Sequence, residues 1–242
     1  MSVLEVENLT KQFGGLTAVD DLSFSVDEGE ILGVIGPNGA GKSTVFNCVM
    51  SIYDATAGTV RFNGDEITDL KTHQIVNKGL SRVTQESNPI DILSVGANIK
   101  LFTLPNSILS LYGGASDREI AGYASRIGIQ DKLQETPDEL PHADVRRLEI
   151  AKALATEPDM LLLDEPFAGM TQKEIDTLSE QIEALREEGM TMIVVDHNMR
   201  GLMNLVDRVL VIHNGARLAE GRPQEVADNE DVQRAYLAGE GF

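Results

Sequence analysis

The stretch Ile31-Leu32-Gly33-Val34-Ile35-Gly36-Pro37-Asn38-Gly39-Ala40-Gly41-Lys42-Ser43-Thr44 decides the fold. Its first five residues form an apolar run of strand length, as in a strand buried on both faces. Gly36 to Ser43 fits G-x-x-x-x-G-K-[ST]. A helix is expected from about Lys42 to Met50. The glycines let backbone N–H groups turn toward a phosphate chain, and the helix adds its positive N-terminal end. Lys42 brings a point charge to the β- and γ-phosphates, and the Ser43 hydroxyl is a Mg²⁺ ligand. Gly36, Pro37, Asn38, Gly39, Ala40, Gly41, Lys42, Ser43 and Thr44 are therefore candidate nucleotide-binding residues.

The matching half lies much later, at Met160-Leu161-Leu162-Leu163-Asp164-Glu165. An apolar strand ending in Asp164 places a carboxylate beside Mg²⁺, directly or through water. Glu165, the next residue, is placed to polarise an attacking water.

Working outward, Val3, Leu4, Val6, Leu22, Phe24 and Val26 alternate with polar residues and read as antiparallel strands. Thr59 to Leu70 reads as a strand and a turn at Asn63-Gly64, and Leu80 to Val83 as a short strand before Gln85. From about Glu86 to Leu140 the strand pattern fades into a mostly helical insertion, with a helix over Asp117 to Ile127 and a loop over Thr103 to Gly114. A further helix is expected after Asp144 through Ala155. Ile175, Leu178, Ile182 and Leu185 form one apolar helical stripe closed by Gly189. Met190 to Val195 is a buried strand, and Arg208 to Phe242 reads as strand, Asn214-Gly215 turn, strand and terminal helix. Strands alternating with helices imply a parallel sheet with helices on both faces, and a ligand site at the carboxyl ends of its strands.

The chain has 242 residues, 20 Lys+Arg and 39 Asp+Glu, a formal charge of −19. That balance opposes nucleic-acid binding, which needs cations to displace counterions, and adhesion to anionic lipid. It fits a solvated acidic surface or a salt-adapted host. The single cysteine, Cys48, excludes an internal disulfide and a multi-cysteine metal cluster, and reads as a small buried apolar residue. No apolar run approaches the roughly 18 residues of a membrane span, and the N-terminus lacks the pattern of a signal peptide. A cytoplasmic location is the expectation.

With both motifs in place, the sequence resembles the ATP-binding subunit of an ABC transporter over essentially its whole length. The resemblance implies a P-loop (RecA-like) α/β ATPase core with an antiparallel β edge and a helical subdomain: one domain over residues 1–242, with 1–85 and 157–242 as core and 86–156 as subdomain. It implies ATP and Mg²⁺ as ligands. Phe13 matches the aromatic that stacks on adenine. Gln85 matches the Q-loop glutamine, which touches Mg²⁺ and the membrane subunit. His197, after Val194-Val195-Asp196, matches the switch histidine near the γ-phosphate. Lys42, Glu165 and His197 would carry catalysis, and Ser43, Gln85 and Asp164 would hold the metal.

Lys11-Gln12-Phe13-Gly14-Gly15-Leu16-Thr17-Ala18-Val19, Arg146-Arg147-Leu148-Glu149-Ile150-Ala151 and the ending Ala235-Tyr236-Leu237-Ala238-Gly239-Glu240 look like branched-chain amino-acid importers. Importers of urea and short amides share these features and remain an alternative. The resemblance implies integral membrane permease subunits as partners, docked in a groove beside Gln85, and a second, different ATP-binding subunit. It also implies an extracytoplasmic solute-binding protein acting indirectly, a peripheral place on the cytoplasmic face of the membrane, and no nucleic acid.

One segment departs from the family pattern. Where the family has LSGGQ, this chain reads Leu140-Pro141-His142-Ala143-Asp144. Pro141 lacks a serine hydroxyl and an N–H, and Ala143 replaces a glycine at a close backbone approach. Asp144 is expected to cap the following helix and to set a negative charge where a partner's γ-phosphate docks. Thr171 and Gln172 stand where relatives often have Asp or Asn followed by Pro. These departures imply an asymmetric pair with one competent and one weak site; a subunit that binds ATP but barely hydrolyses it is the alternative.

Overall fold

A computed structural model describes residues 1–104 and 114–237. Most of the expected loop at Thr103–Gly114, and Ala238, Gly239 and Glu240 of the ending, lie outside these residues. The chain runs β1 (Ser2–Phe13), β2 (Leu16–Asp27), β3 (Ile31–Ile35), α1 (Lys42–Val49), β4 (Ala57–Phe62), β5 (Asp65–Glu66), α2 (Thr72–Asn77) and β6 (Leu80–Val83). Then come α3 (Val95–Leu101), α4 (Asp117–Arg126), α5 (His142–Leu154), β7 (Met160–Asp164), α6 (Gln172–Glu187), β8 (Thr191–Val195) and α7 (Met199–Leu205). It closes with β9 (Arg208–His213), β10 (Ala216–Gly221), α8 (Pro223–Ala227) and α9 (Glu230–Leu237). Between β6 and β7 the described residues form helices and two 3₁₀ turns, with no strand.

Two sheets result. The larger has the order β10-β9-β3-β8-β7-β6, and every pairing is parallel except β10 with β9. The smaller is antiparallel, β2-β1-β4-β5. The expected antiparallel strands thus make a layer of their own rather than extend the parallel sheet.

Period-two alternation divides the core between the two faces of the large sheet. Leu32, Val34, Met160, Leu162, Ile193, Val195, Leu210 and Ile212 pack with α1, α2 and the small sheet. Ile31, Ile35, Leu161, Leu163, Met192, Val194, Val209 and Val211 pack with the remaining helices. So helices cover both faces, but on one they share the cover with the small sheet. Strands β3, β7 and β8 are buried along their whole length, which is why they read as unbroken apolar runs.

The helix α6 buries Ile175, Leu178, Ile182 and Leu185, the expected stripe, and Gly189 follows its end at φ 99°. Cys48 is buried and unbonded. Helix α5 starts three residues earlier than the sequence suggested, at His142 with Pro141 as N-cap. The sequence offered no sign of α2 or α7, short helices that bury Ile75, and Leu202 and Leu205. Among the described residues no helix is long and apolar enough to cross a membrane.

Candidate nucleotide site

The register of the large sheet assembles the site. Val34 of β3 lies opposite Val195, Asp164 opposite Val195, and Val83 opposite Leu163. The carboxyl ends of β3, β8, β7 and β6 therefore finish side by side. Within two residues each reaches a residue the sequence had marked: Gly36, His197, Glu165 and Gln85.

The loop after β3 is shaped by glycine. Gly39 and Gly41 sit at φ 78° and 106°, a region open to glycine at little cost. A Cβ on Gly41 would lie 2.5 Å from the Ala18 carbonyl, whereas one on Gly39 would meet nothing within 4 Å. Gly41 caps α1 with no side-chain hydrogen bond, and the first turn of α1 carries no acid. The N-terminal N–H groups of α1 are thus left to an external anion. Lys42 Nζ donates to the carbonyls of Gly36 at 2.7 Å and Pro37 at 3.2 Å. Burial pushes its ammonium below the ordinary lysine range, while Glu165 and Asp164 pull the other way. The loop, Phe13, Thr17, Ala18, Glu165, His197 and Gly215 line one cleft of about 560 Å³. Phe13 is 41% exposed there and meets Tyr53 edge-on at 5.2 Å.

Glu165 is the focus. Its backbone is left-handed, φ 51°, and its N–H donates to Val195 O at 2.7 Å. A strained non-glycine residue of this kind persists when its surroundings over-determine it, often at functional sites. Gln85 Nε2 donates to Glu165 Oε2 at 2.6 Å, and His197 Nε2 lies 3.2 Å from Oε1. The structure thus brings Gln85, Glu165 and His197 into one cluster at the cleft.

Asp164 is buried, and sequence reasoning missed its partner. Arg82 Nη2 donates to Asp164 Oδ2 at 2.6 Å, and Arg82 Nη1 to Asn47 Oδ1 of α1 at 2.6 Å. The guanidinium stands over the Phe46 ring at 5.6 Å. A signal was present: an arginine inside the apolar strand Leu80–Val83 needs a buried partner. Asp196 was also passed over. Its carboxylate accepts from the N–H groups of Phe167 at 2.8 Å and Asn198 at 2.7 Å, tying the segment after Glu165 to the segment carrying His197. Burial raises its pKa and the two N–H bonds oppose that.

The expectations for Asp144 need correction. Because α5 begins at His142, Asp144 lies inside its first turn and does not cap it. Nor is its charge uncompensated: Lys132 Nζ lies 2.9 Å from Oδ2 and Arg147 Nη1 2.7 Å from Oδ1. Leu140 is half-buried and Ala143 buried, while Pro141 and His142 are exposed. The His142 ring lies over Gly169, where a Cβ would come within 3.2 Å of it. This segment therefore touches the loop that follows Glu165. Arg146, further along α5, donates to the Thr84 carbonyl at 3.0 Å, next to Gln85.

The donor set fits a nucleotide and would fit Mg²⁺. An uncapped helix start, an ammonium and glycine-lined space suit phosphate. The exposed Ser43 hydroxyl and the Asp164 carboxylate are hard oxygen donors. Together with phosphate oxygens, these two groups would make an oxygen shell of the kind Mg²⁺ takes.

Comparison with known proteins agrees with this geometry. The family model described as ABC transporter matches residues 19–168, and the one described as Branched-chain amino acid ATP-binding cassette transporter matches residues 216–237. The chain is 38% identical to the high-affinity branched-chain amino acid transport ATP-binding protein BraF of Pseudomonas aeruginosa, over 97% of each chain. It is 33% identical to the lipopolysaccharide export system ATP-binding protein LptB of Escherichia coli, over 100% of this chain and 99% of that one. The crystal structure of the ADP conformation of an ATP-binding cassette of an ABC transporter superposes with a TM-score of 0.88 at 27% identity, covering 98% of this chain and 99% of the other. The chain belongs to the ABC transporter family, as an ATP-binding cassette that hydrolyses ATP.

Proposed function

We propose that this chain is the ATP-hydrolysing subunit of an importer that drives uptake of branched-chain or other hydrophobic amino acids through a separate permease. The observation that carries the hydrolytic part is the Glu165 carboxylate, held between Gln85 and His197 beside the phosphate loop. The cargo is supported by the match over residues 216–237 and by the likeness to BraF.

In this reading Phe13 offers its exposed ring to adenine. Loop N–H groups of residues 36–44 and the start of α1 hold the phosphates, and Lys42 leaves the Gly36 and Pro37 carbonyls for the β- and γ-phosphates. Ser43, Gln85 and Asp164 would hold Mg²⁺, which would supply positive charge to offset that of the phosphates. Glu165 orients the attacking water and takes its proton. His197 moves from Glu165 to the γ-phosphate as charge builds there. Residues 86–156 form the helical subdomain. In this reading the groove beside Gln85, where a cleft of about 320 Å³ is lined by Met50, Ile52, Val83, Thr84, Phe102 and Ala153, docks the permease, and the chain sits on the cytoplasmic face of the membrane through it.

The pair is asymmetric in this reading. This chain's phosphate loop and a partner's signature make the competent site; Leu140–Asp144 serves the weaker one. Support comes from Pro141, which stands at the N-cap without an N–H, and from the Ala143 methyl, but no longer from the charge of Asp144.

The test is Glu165→Gln with Mg-ATP, followed by the solution mass of the chain. ATP binding without self-association supports the nucleotide site and the asymmetric pairing. An ATP-dependent homodimer overturns the asymmetric part, and a chain that does not bind ATP overturns all of it.

A further inference from the structure

The three residues read as holding Mg²⁺ come from three elements: Ser43 lies in the first turn of α1, Asp164 ends β7, and Gln85 follows β6. One side chain ties these elements together. Arg82 stands on β6 opposite Leu162 of β7, in the strand that leads to Gln85. Its Nη2 donates to Asp164 Oδ2 at 2.6 Å, and its Nη1 donates to Asn47 Oδ1 at 2.6 Å. Asn47 follows Ser43 by one helical turn on the same face of α1. The guanidinium also lies over the Phe46 ring of α1, 5.6 Å from its centroid.

We infer that Arg82 is a positioning residue for the metal: it fixes α1 against the end of β7, and so sets the spacing of the Ser43 and Asp164 oxygens before nucleotide arrives. The inference rests on reading Ser43 and Asp164 as metal-holding residues. Arg82 holds Oδ2 of Asp164, while Oδ1 accepts no hydrogen bond among the described residues and is the oxygen left for the metal.

The chemistry separates this role from simple charge compensation. A buried ion pair adds little stability over apolar side chains of the same size. The Arg82 and Asp164 side chains are 9% and 8% exposed, and Arg82 Nε is buried with no partner among the described residues. An ammonium would neutralise Asp164 as well. Only a planar fork of fixed donors spans Asp164 and Asn47 at once. Mg²⁺ demands near-ideal octahedral geometry, so an error in ligand spacing costs affinity.

The experiment uses the full chain and AMP-PNP, a non-hydrolysable ATP analogue, titrated by calorimetry with Mg²⁺ and again with EDTA. The ratio of the two affinities reads the metal's contribution. Asn47→Ala leaves the ion pair in place and removes the tie to α1; Arg82→Lys keeps the charge and removes the fork. Each is expected to reduce that ratio about tenfold, the scale for losing a partner of a metal ligand, while keeping wild-type affinity in EDTA. If Asn47→Ala keeps the full ratio, α1 is not placed by Arg82 and the inference is wrong, whether or not Arg82→Lys folds. If Arg82→Lys keeps it, charge alone suffices and the inference is equally wrong. Affinities that fall together with and without metal would reduce the network to a structural role. A wild-type chain with no gain from Mg²⁺ overturns the reading of Ser43 and Asp164 as metal-holding residues, and one that binds no AMP-PNP overturns the nucleotide site itself.

Discussion

Helices α1, α5 and α6 begin differently. Helix α1 has a glycine cap, no side-chain cap bond and no acid in its first turn. Helix α5 also lacks a side-chain cap bond, but it starts after a proline and carries Asp144 in its first turn. Helix α6 is closed by its own Glu174, which accepts from Thr171 N at 2.7 Å and Oγ1 at 2.6 Å. All three expose the positive end of a dipole. What differs is whether the chain has already spent that end on its own acid. At α1 it is left open and Lys42 is added. At α6 it is taken. At α5 the acid is present but held by Lys132 and Arg147, so the helix start is electrically compensated and altered mainly in shape. Phosphate affinity therefore depends on the local balance of charges and N–H groups, not on a helix start alone.

The largest test strikes the end that is complete. Arg82→Met removes the buried guanidinium from Asp164, whose side chain is 8% exposed. Breaking one side of a buried pair is expected to cost about 3 kcal/mol of unfolding free energy. Urea denaturation checks it; an unchanged midpoint would mean that Asp164 holds its charge without Arg82. A smaller effect is expected at α5. The double variant Pro141→Ser with Ala143→Gly should raise ATP turnover by the chain on its own about tenfold, since it restores groups aimed at a transferring phosphate. Phosphate release measures it, and no increase would show that those two residues do not weaken the second site.

The smallest effect belongs to α6. Hydrogen bonds from Thr171 hold the Glu174 carboxyl below its ordinary 4.5. A pKa lowered by folding contributes stability that is present above the unfolded value and lost as pH falls through the folded one. Below pH 4.5 the wild-type chain should therefore lose stability slightly faster than Glu174→Gln. Denaturation midpoints across that range check it, and parallel curves would remove Glu174 from the comparison.

Much of the fold was legible because its central strands are buried on both faces. Ile31–Ile35, Met160–Leu163 and Met192–Val195 can only read as apolar runs, and the α6 stripe shows a single period. The short helices α2, α7 and α8 were not legible, since five to seven residues carry too little periodicity to stand out from a loop. The start of α5 was misplaced because Asp144 is a common capping residue, while the actual cap, Pro141, is a poor one. Arg82 was missed because it acts on a partner distant in sequence, Asp164.

The sequence by itself determined the chemistry at each strand end. A phosphate loop must spell its glycines, its lysine and its hydroxyl in one short run, because backbone N–H groups and side chains there act together on one ligand. Tertiary structure alone decided how these ends meet and who holds them. Parallel register sets Gln85, Glu165 and His197 together, Arg82 compensates Asp164, and two cations compensate Asp144. Spacing along the chain does not encode a pairing across a sheet or between helices. The charge a carboxylate presents to a ligand depends on that pairing as much as on its own identity.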